Sequence, residues 1–177
     1  MNTRLRIAAL AAAVMPSLAA AQGAPVAQAF RSNAADIGKN LMAAADLMPA
    51  DKYFYKPTPA QMSYGDIALH LAQGNDFLCG AIGGMKAPTR SSVKATDSKD
   101  VIVARLKETF TFCDQALAKL DDSNLTEQLP MFGGTKMSRA AVMTLTTGDW
   151  ADHYSQWAIY LRLNGQLPPT AKKPAGH

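Results

Sequence analysis

At 177 residues, 48% of them hydrophobic, the chain has the material for one ordinary domain core and is too short for two comfortable ones. Its formal charge is +4, and the basic residues are not gathered: Lys94, Lys99, Arg105, Lys107 and Lys119 are interleaved with Asp97, Asp100, Glu108, Asp114 and Asp121. A nucleic-acid footprint needs basic side chains on one face, so a polyanion partner is excluded.

Residues 1–21 read as a secretory signal peptide. Arg4 and Arg6 give a basic start, Ile7 to Val14 an apolar stretch, Pro16 a break, and small residues end at Ala21. The apolar run is shorter than the roughly 18 residues a spanning helix needs. The expected mature chain is soluble, periplasmic or secreted, free of any membrane, and carries a formal charge of +2 once the two leader arginines are removed from +4. Residues 22–170 form the expected domain and 171–177 a disordered tail.

Four helical patterns follow, with no strand alternation competing. In the first, Phe30, Ile37, Leu41 and Leu47 recur at mostly three- and four-residue steps, and Pro49 stops it. The link "ADKYFYKPTPAQ" holds two prolines and three aromatics, which predicts an ordered connection with Tyr53 and Tyr55 at one mouth of the bundle. The second helix has Ser63 as N-cap, Ile67, Leu71 and Leu78 on one stripe, and Gly83 and Gly84 at its end. The crossover that follows is longer than a tight antiparallel turn requires. Asp97 and Ser98 offer the next cap, and Leu106, Phe110, Cys113, Leu117 and Leu120 then make a heptad-like seam. A fourth helix runs from a Ser138 cap to Leu163, where Asn164 and Gly165 end it and Pro168 and Pro169 prevent continuation. The fold class this predicts is all-α, a four-helix bundle with a longer crossover between helices two and three.

Two cysteines, Cys79 and Cys113, lie 34 residues apart, which excludes a CxxC redox pair. In an exported chain they could form one disulfide; two buried free thiols are the alternative, and the Cα separation decides. Neither suits a nucleophile, since Cys79 falls on the face of its helix away from His70 and Cys113 belongs to the seam. No GxSxG, Walker loop, HExxH or GxGxxG occurs.

The polar groups inside the apolar helices carry the chemistry. Asp149 and His153 stand at i and i+4 and so share a face of helix four, and His70 on helix two can supply a third group from across the bundle. Imidazole nitrogen with carboxylate oxygen suits a divalent metal such as Zn, Ni, Fe or Mn, and three ligands leave positions open. The plainer alternatives are a hydrogen-bonded packing histidine and an ordinary side-chain pair. Asp152 points elsewhere on the helix and reads as a group behind the ligands or on the surface, and the Gln156 amide could orient a metal-bound water or simply fill a packing gap. Trp150, Trp157 and Tyr160 read as core or interface mass, Arg162 as a partner for an acid or helix end, and Met42, Met48, Met62 and Met85 as gap-fillers. His177 ends a Pro- and Lys-rich tail and is set aside as a ligand.

The run "HYSQWAIYLRLNGQLPP" resembles the closing helix of the DinB/YfiT-like superfamily, and "YKPTPAQMSYGDIALHLAQGNDFLCG" is similar to that family's second-helix entry. The exported start looks like an extracellular branch. The resemblance covers nearly all of the mature chain. It implies a bundle whose metal is held by three histidines, one on helix two and an HxxxH pair on helix four. His70 matches the first and His153 the last, while Asp149 occupies the remaining position, so this chain has DxxxH where the family commonly has HxxxH. A carboxylate still ligates Zn, Mn or Fe with altered affinity; loss of metal binding is equally consistent with the exchange. Family members include thiol-dependent transferases and isomerases and proteins described as metal-dependent hydrolases. The expectation is therefore a metal-binding bundle acting on a small molecule by hydrolase or transferase chemistry. A non-catalytic binding or structural bundle is the alternative, and a homodimer formed through the aromatic helix is a further one.

Overall fold

The computed structural model describes residues 23–171; the expected leader, most of the expected tail and His177 lie outside these. Helices α1 (Pro25–Leu47), α2 (Tyr64–Gly83), α3 (Lys99–Leu117) and α4 (Arg139–Leu163) form the bundle. A short hairpin, β1 (Gln128–Pro130) with β2 (Lys136–Ser138), precedes α4. The hairpin corrects the expectation of no strands: three-residue strands are too short to show alternation. No described helix is long and apolar enough to cross a membrane.

Local chemistry sets the helix ends. Pro25 stands in the first turn of α1, where its missing N–H costs nothing. Ala24, at the cap position, has no side-chain acceptor to offer; instead the Asp122 carboxylate, from the loop after α3, accepts from Val26 N at 3.1 Å and Ala27 N at 2.7 Å. At α2, Ser63 Oγ accepts from Asp66 N while the Asp66 carboxylate accepts from Ser63 N, a reciprocal capping box. Gly84 closes α2 in the left-handed conformation, at φ 64°. Ser138 caps α4 by accepting from Ala141 N. Ser98 occupies the N-cap position of α3, as the sequence suggests, but its side chain makes no cap bond, and the Asp97 carboxylate turns back to accept from Lys94 N.

Cross-contacts give the helix directions. Gly65 lies near Ile102, Asn75 bonds Thr109 and Gly83 abuts Ala116, so α2 and α3 run parallel. Asn75 meets Trp150, and Tyr64 O accepts from Trp157 Nε1, so α2 and α4 are antiparallel. Parallel neighbours need a connection that returns the full helix length, and residues 84–98 make it. Arg90 pins this crossover by donating to both Asp76 carboxylate oxygens, at 2.6 and 2.8 Å. Cys79 and Cys113 are joined by a disulfide between α2 and α3, with Cα atoms 5.1 Å apart.

The core runs the length of the bundle, with Leu41, Ile67, Ile82, Ile102, Leu106, Trp150 and Trp157 fully enclosed. Tyr53 does not line a mouth: it is fully buried, and its hydroxyl donates to Ala45 O. Tyr64 makes the matching bond to Ala44 O and stacks on Trp157. Burial pushes both phenols well above the ordinary tyrosine range, so they stay neutral donors.

Candidate metal centre

The centre lies midway along the α2–α4 seam. Asn75 sets the register there: its Oδ1 accepts from Trp150 Nε1 at 2.8 Å, and its Nδ2 donates to Thr109 Oγ1 at 3.2 Å. All three side chains are buried. Trp150 immediately follows Asp149 in the chain, and His70 lies five residues before Asn75, so this bond fixes the level at which the three candidate ligands meet.

Asp149 Oδ1 stands 4.0 Å from His70 Nε2 and 3.9 Å from His153 Nε2. One donor atom from each of the three residues lies within 4.8 Å of the others. These separations are too long for hydrogen bonds, so the groups converge without satisfying one another. His153 is 8% exposed, and neither of its ring nitrogens has a hydrogen-bond partner among the described residues. An orphaned buried polar atom costs about 1–3 kcal/mol, which argues against a plain packing histidine. A cation between the three donors would satisfy Nε2. The two imidazoles and one carboxylate are an appropriate donor set for a divalent first-row ion, so the residues fit such a group. His70, its side chain 49% exposed, leaves the solvent side of the site open.

Asp152 and Gln156 lie one layer out. Asp152 Oδ2 is 3.5 Å from His153 Nδ1, the place where a carboxylate commonly steadies a ligating imidazole. Gln156 donates to Asp152 Oδ2 at 2.7 Å, so its amide engages this carboxylate. Arg162 donates to Ala158 O within its own helix. Sequence reasoning passed over Asn75, whose signal was an amide on the apolar stretch of α2. A separate cleft of about 450 Å³ between α1 and α3, floored by Gly38, Phe110 and Trp150, contains none of the three donor residues.

The family profile of the DinB superfamily matches residues 36–157, and the chain belongs to that superfamily. No curated protein matches it in sequence. It is similar in structure to a DinB-like protein from Bacillus cereus, with a TM-score of 0.66, 17% identity, and coverage of 80% of this chain and 95% of that one. A DinB-like protein from Bacillus subtilis gives a TM-score of 0.58 at 19% identity, covering 85% of this chain and 99% of that one. A mutant of mycothiol-dependent maleylpyruvate isomerase gives 0.60 at 10% identity, covering 73% of this chain and 59% of that one. At such identities the likeness is one of fold.

Proposed function

We propose that this is an exported DinB-superfamily protein that binds one divalent metal through His70, Asp149 and His153 and uses it on a small-molecule substrate, by hydrolase or transferase chemistry. The observation that carries this reading is His153: buried, with neither nitrogen hydrogen-bonded, and facing two further donor groups. A divalent ion held by these residues would supply Lewis-acid activation of a nucleophile at neutral pH. The chain's own residues hold the ligands. Asp152 lies against the outer nitrogen of His153, and Gln156 restrains Asp152. The Asn75–Trp150 bond holds α2 and α4 level. Export is supported by the leader pattern and by the Cys79–Cys113 disulfide, which suits an oxidising compartment.

Elemental analysis of the mature protein, purified without tag or chelator, tests the reading beside Asp149→Ala and His153→Ala. Near one equivalent of metal in wild type and a large loss in both variants, with helix content retained, is the expected result. Metal-free wild type after incubation with Zn, Ni and Mn would instead favour a non-catalytic binding bundle.

A further inference from the structure

Helix α2 carries four glycines, and three of them have a steric reason, Gly65 the mildest, where a Cβ would meet Tyr53 O at 3.3 Å. A Cβ on Gly80 would meet Met85 O at 2.7 Å, and one on Gly83 would meet Ala116 O at 2.1 Å. Gly74 has none: a Cβ there would find nothing within 4 Å, and it is not among the positive-φ glycines. A mid-helix glycine costs about 1 kcal/mol relative to alanine. What Gly74 leaves is room, one helical turn from His70 and one residue from the Asn75–Trp150 bond that sets the level of Asp149.

One further turn along the same stripe, Phe77 carries the ring of Phe132 stacked on it, centroids 4.0 Å apart. Phe132 comes from the hairpin tip. Gly133 and Gly134, both in the left-handed region at φ 66° and 76°, turn the chain there, and Phe132 remains 64% exposed. Leu145, one turn before Asp149 on α4, is 42% exposed. An apolar wall therefore continues from the donor groups toward the hairpin. The buried, unpartnered His153 marks the other end as a place for a ligand.

We propose that the molecule bound at this centre is aromatic, with an oxygen-donor head at the metal and a flat ring lying over Gly74 and ending against the Phe77–Phe132 stack. This rests on the metal-site reading above. His70 and Phe77 are seven residues apart, about 10 Å along the helix axis, which accommodates a head group and a one- or two-ring system. Ring-on-ring contact and apolar burial together reward such a substituent over a methyl group.

The test uses zinc-loaded protein and two hydroxamates that share a chelating head, 2-naphthohydroxamate and acetohydroxamate, titrated by calorimetry. The expected result is a Kd about 10-fold or more lower for the naphthyl probe. Gly74→Val, which adds bulk where the structure has space, should remove most of that preference while zinc stoichiometry and acetohydroxamate binding stay as in wild type. Phe132→Ala should weaken the naphthyl probe alone. Equal affinities of the two probes in wild type, failure of the naphthyl probe to bind zinc-loaded protein, or a preference indifferent to Gly74→Val would overturn the proposal with the metal site left standing. Failure to take up zinc would overturn the metal-site reading itself.

Discussion

The amide of Asn75 and the indole of Trp150 are joined by one hydrogen bond, 2.8 Å long and enclosed on all sides, and the level of the candidate metal centre depends on it. Asn75 also engages Thr109 on α3, so a single side chain ties three helices together. Asn75→Ala strands the Trp150 N–H and opens a gap, and it should cost about 2–4 kcal/mol by urea denaturation. The same variant should hold metal more weakly, because His70 and Asp149 lose their common level. Thr109→Val, which removes only the outer partner, should cost less than Asn75→Ala.

Two glycines in one helix should respond oppositely to the same change. Gly83→Ala places a methyl 2.1 Å from the Ala116 carbonyl oxygen, a backbone atom that can yield only by moving α3, and should destabilise by about 2 kcal/mol or more. Gly74→Ala meets no neighbour and should be neutral or stabilising by up to about 1 kcal/mol. Thermal melts of the two variants check both signs; a destabilised Gly74→Ala would mean that its open space is not real.

Reduction should be costly as well. The Cys79–Cys113 bridge closes a loop across a sequence separation of 34, which in the chain-entropy picture corresponds to about 3–4 kcal/mol. Denaturation with and without reductant, and of the Cys79→Ala, Cys113→Ala double variant, should show a loss of that order without loss of helix content. The parallel α2–α3 pair retains its packing and the Arg90–Asp76 clamp.

The capping box gives a pH dependence of known sign. Hydrogen bonds from Ser63, chiefly from its hydroxyl, hold the Asp66 carboxyl below the ordinary aspartate range. A depressed folded-state pKa contributes stability above the unfolded value, about 3.9, and loses it as pH falls through the folded one. Wild type should therefore exceed Asp66→Asn in stability at pH 7. The difference should begin to shrink near pH 4 and vanish in stronger acid. A gap between the two melting curves that is constant from pH 7 to pH 2 would contradict this.

Much of the bundle could be read directly. The apolar stripes gave four helices, and Ser63, Gly84 and Ser138 marked ends that the structure places at the same residues. Direction could not be read, because periodicity defines a face and not a heading; the parallel course of α2 and α3 comes from contacts such as Asn75 with Thr109. Tyr53 resembled a rim aromatic because nothing local foretold that its hydroxyl would reach Ala45 O. At the candidate centre, the i, i+4 spacing put Asp149 beside His153, since helical geometry is local. The meeting with His70, and the burial of His153 without a partner, are products of tertiary register that no short stretch encodes.

Asp122 has a consequence for the order of events during folding. Its carboxylate accepts from the amides of Val26 and Ala27, so the opening turn of α1 waits for a group made 95 residues after Ala27. The first of the four bundle helices to be synthesised is thus among the last to be completed. Its first turn should fray until the loop beyond α3 has emerged, and amide protection at Ala27 would time the closure of the whole bundle.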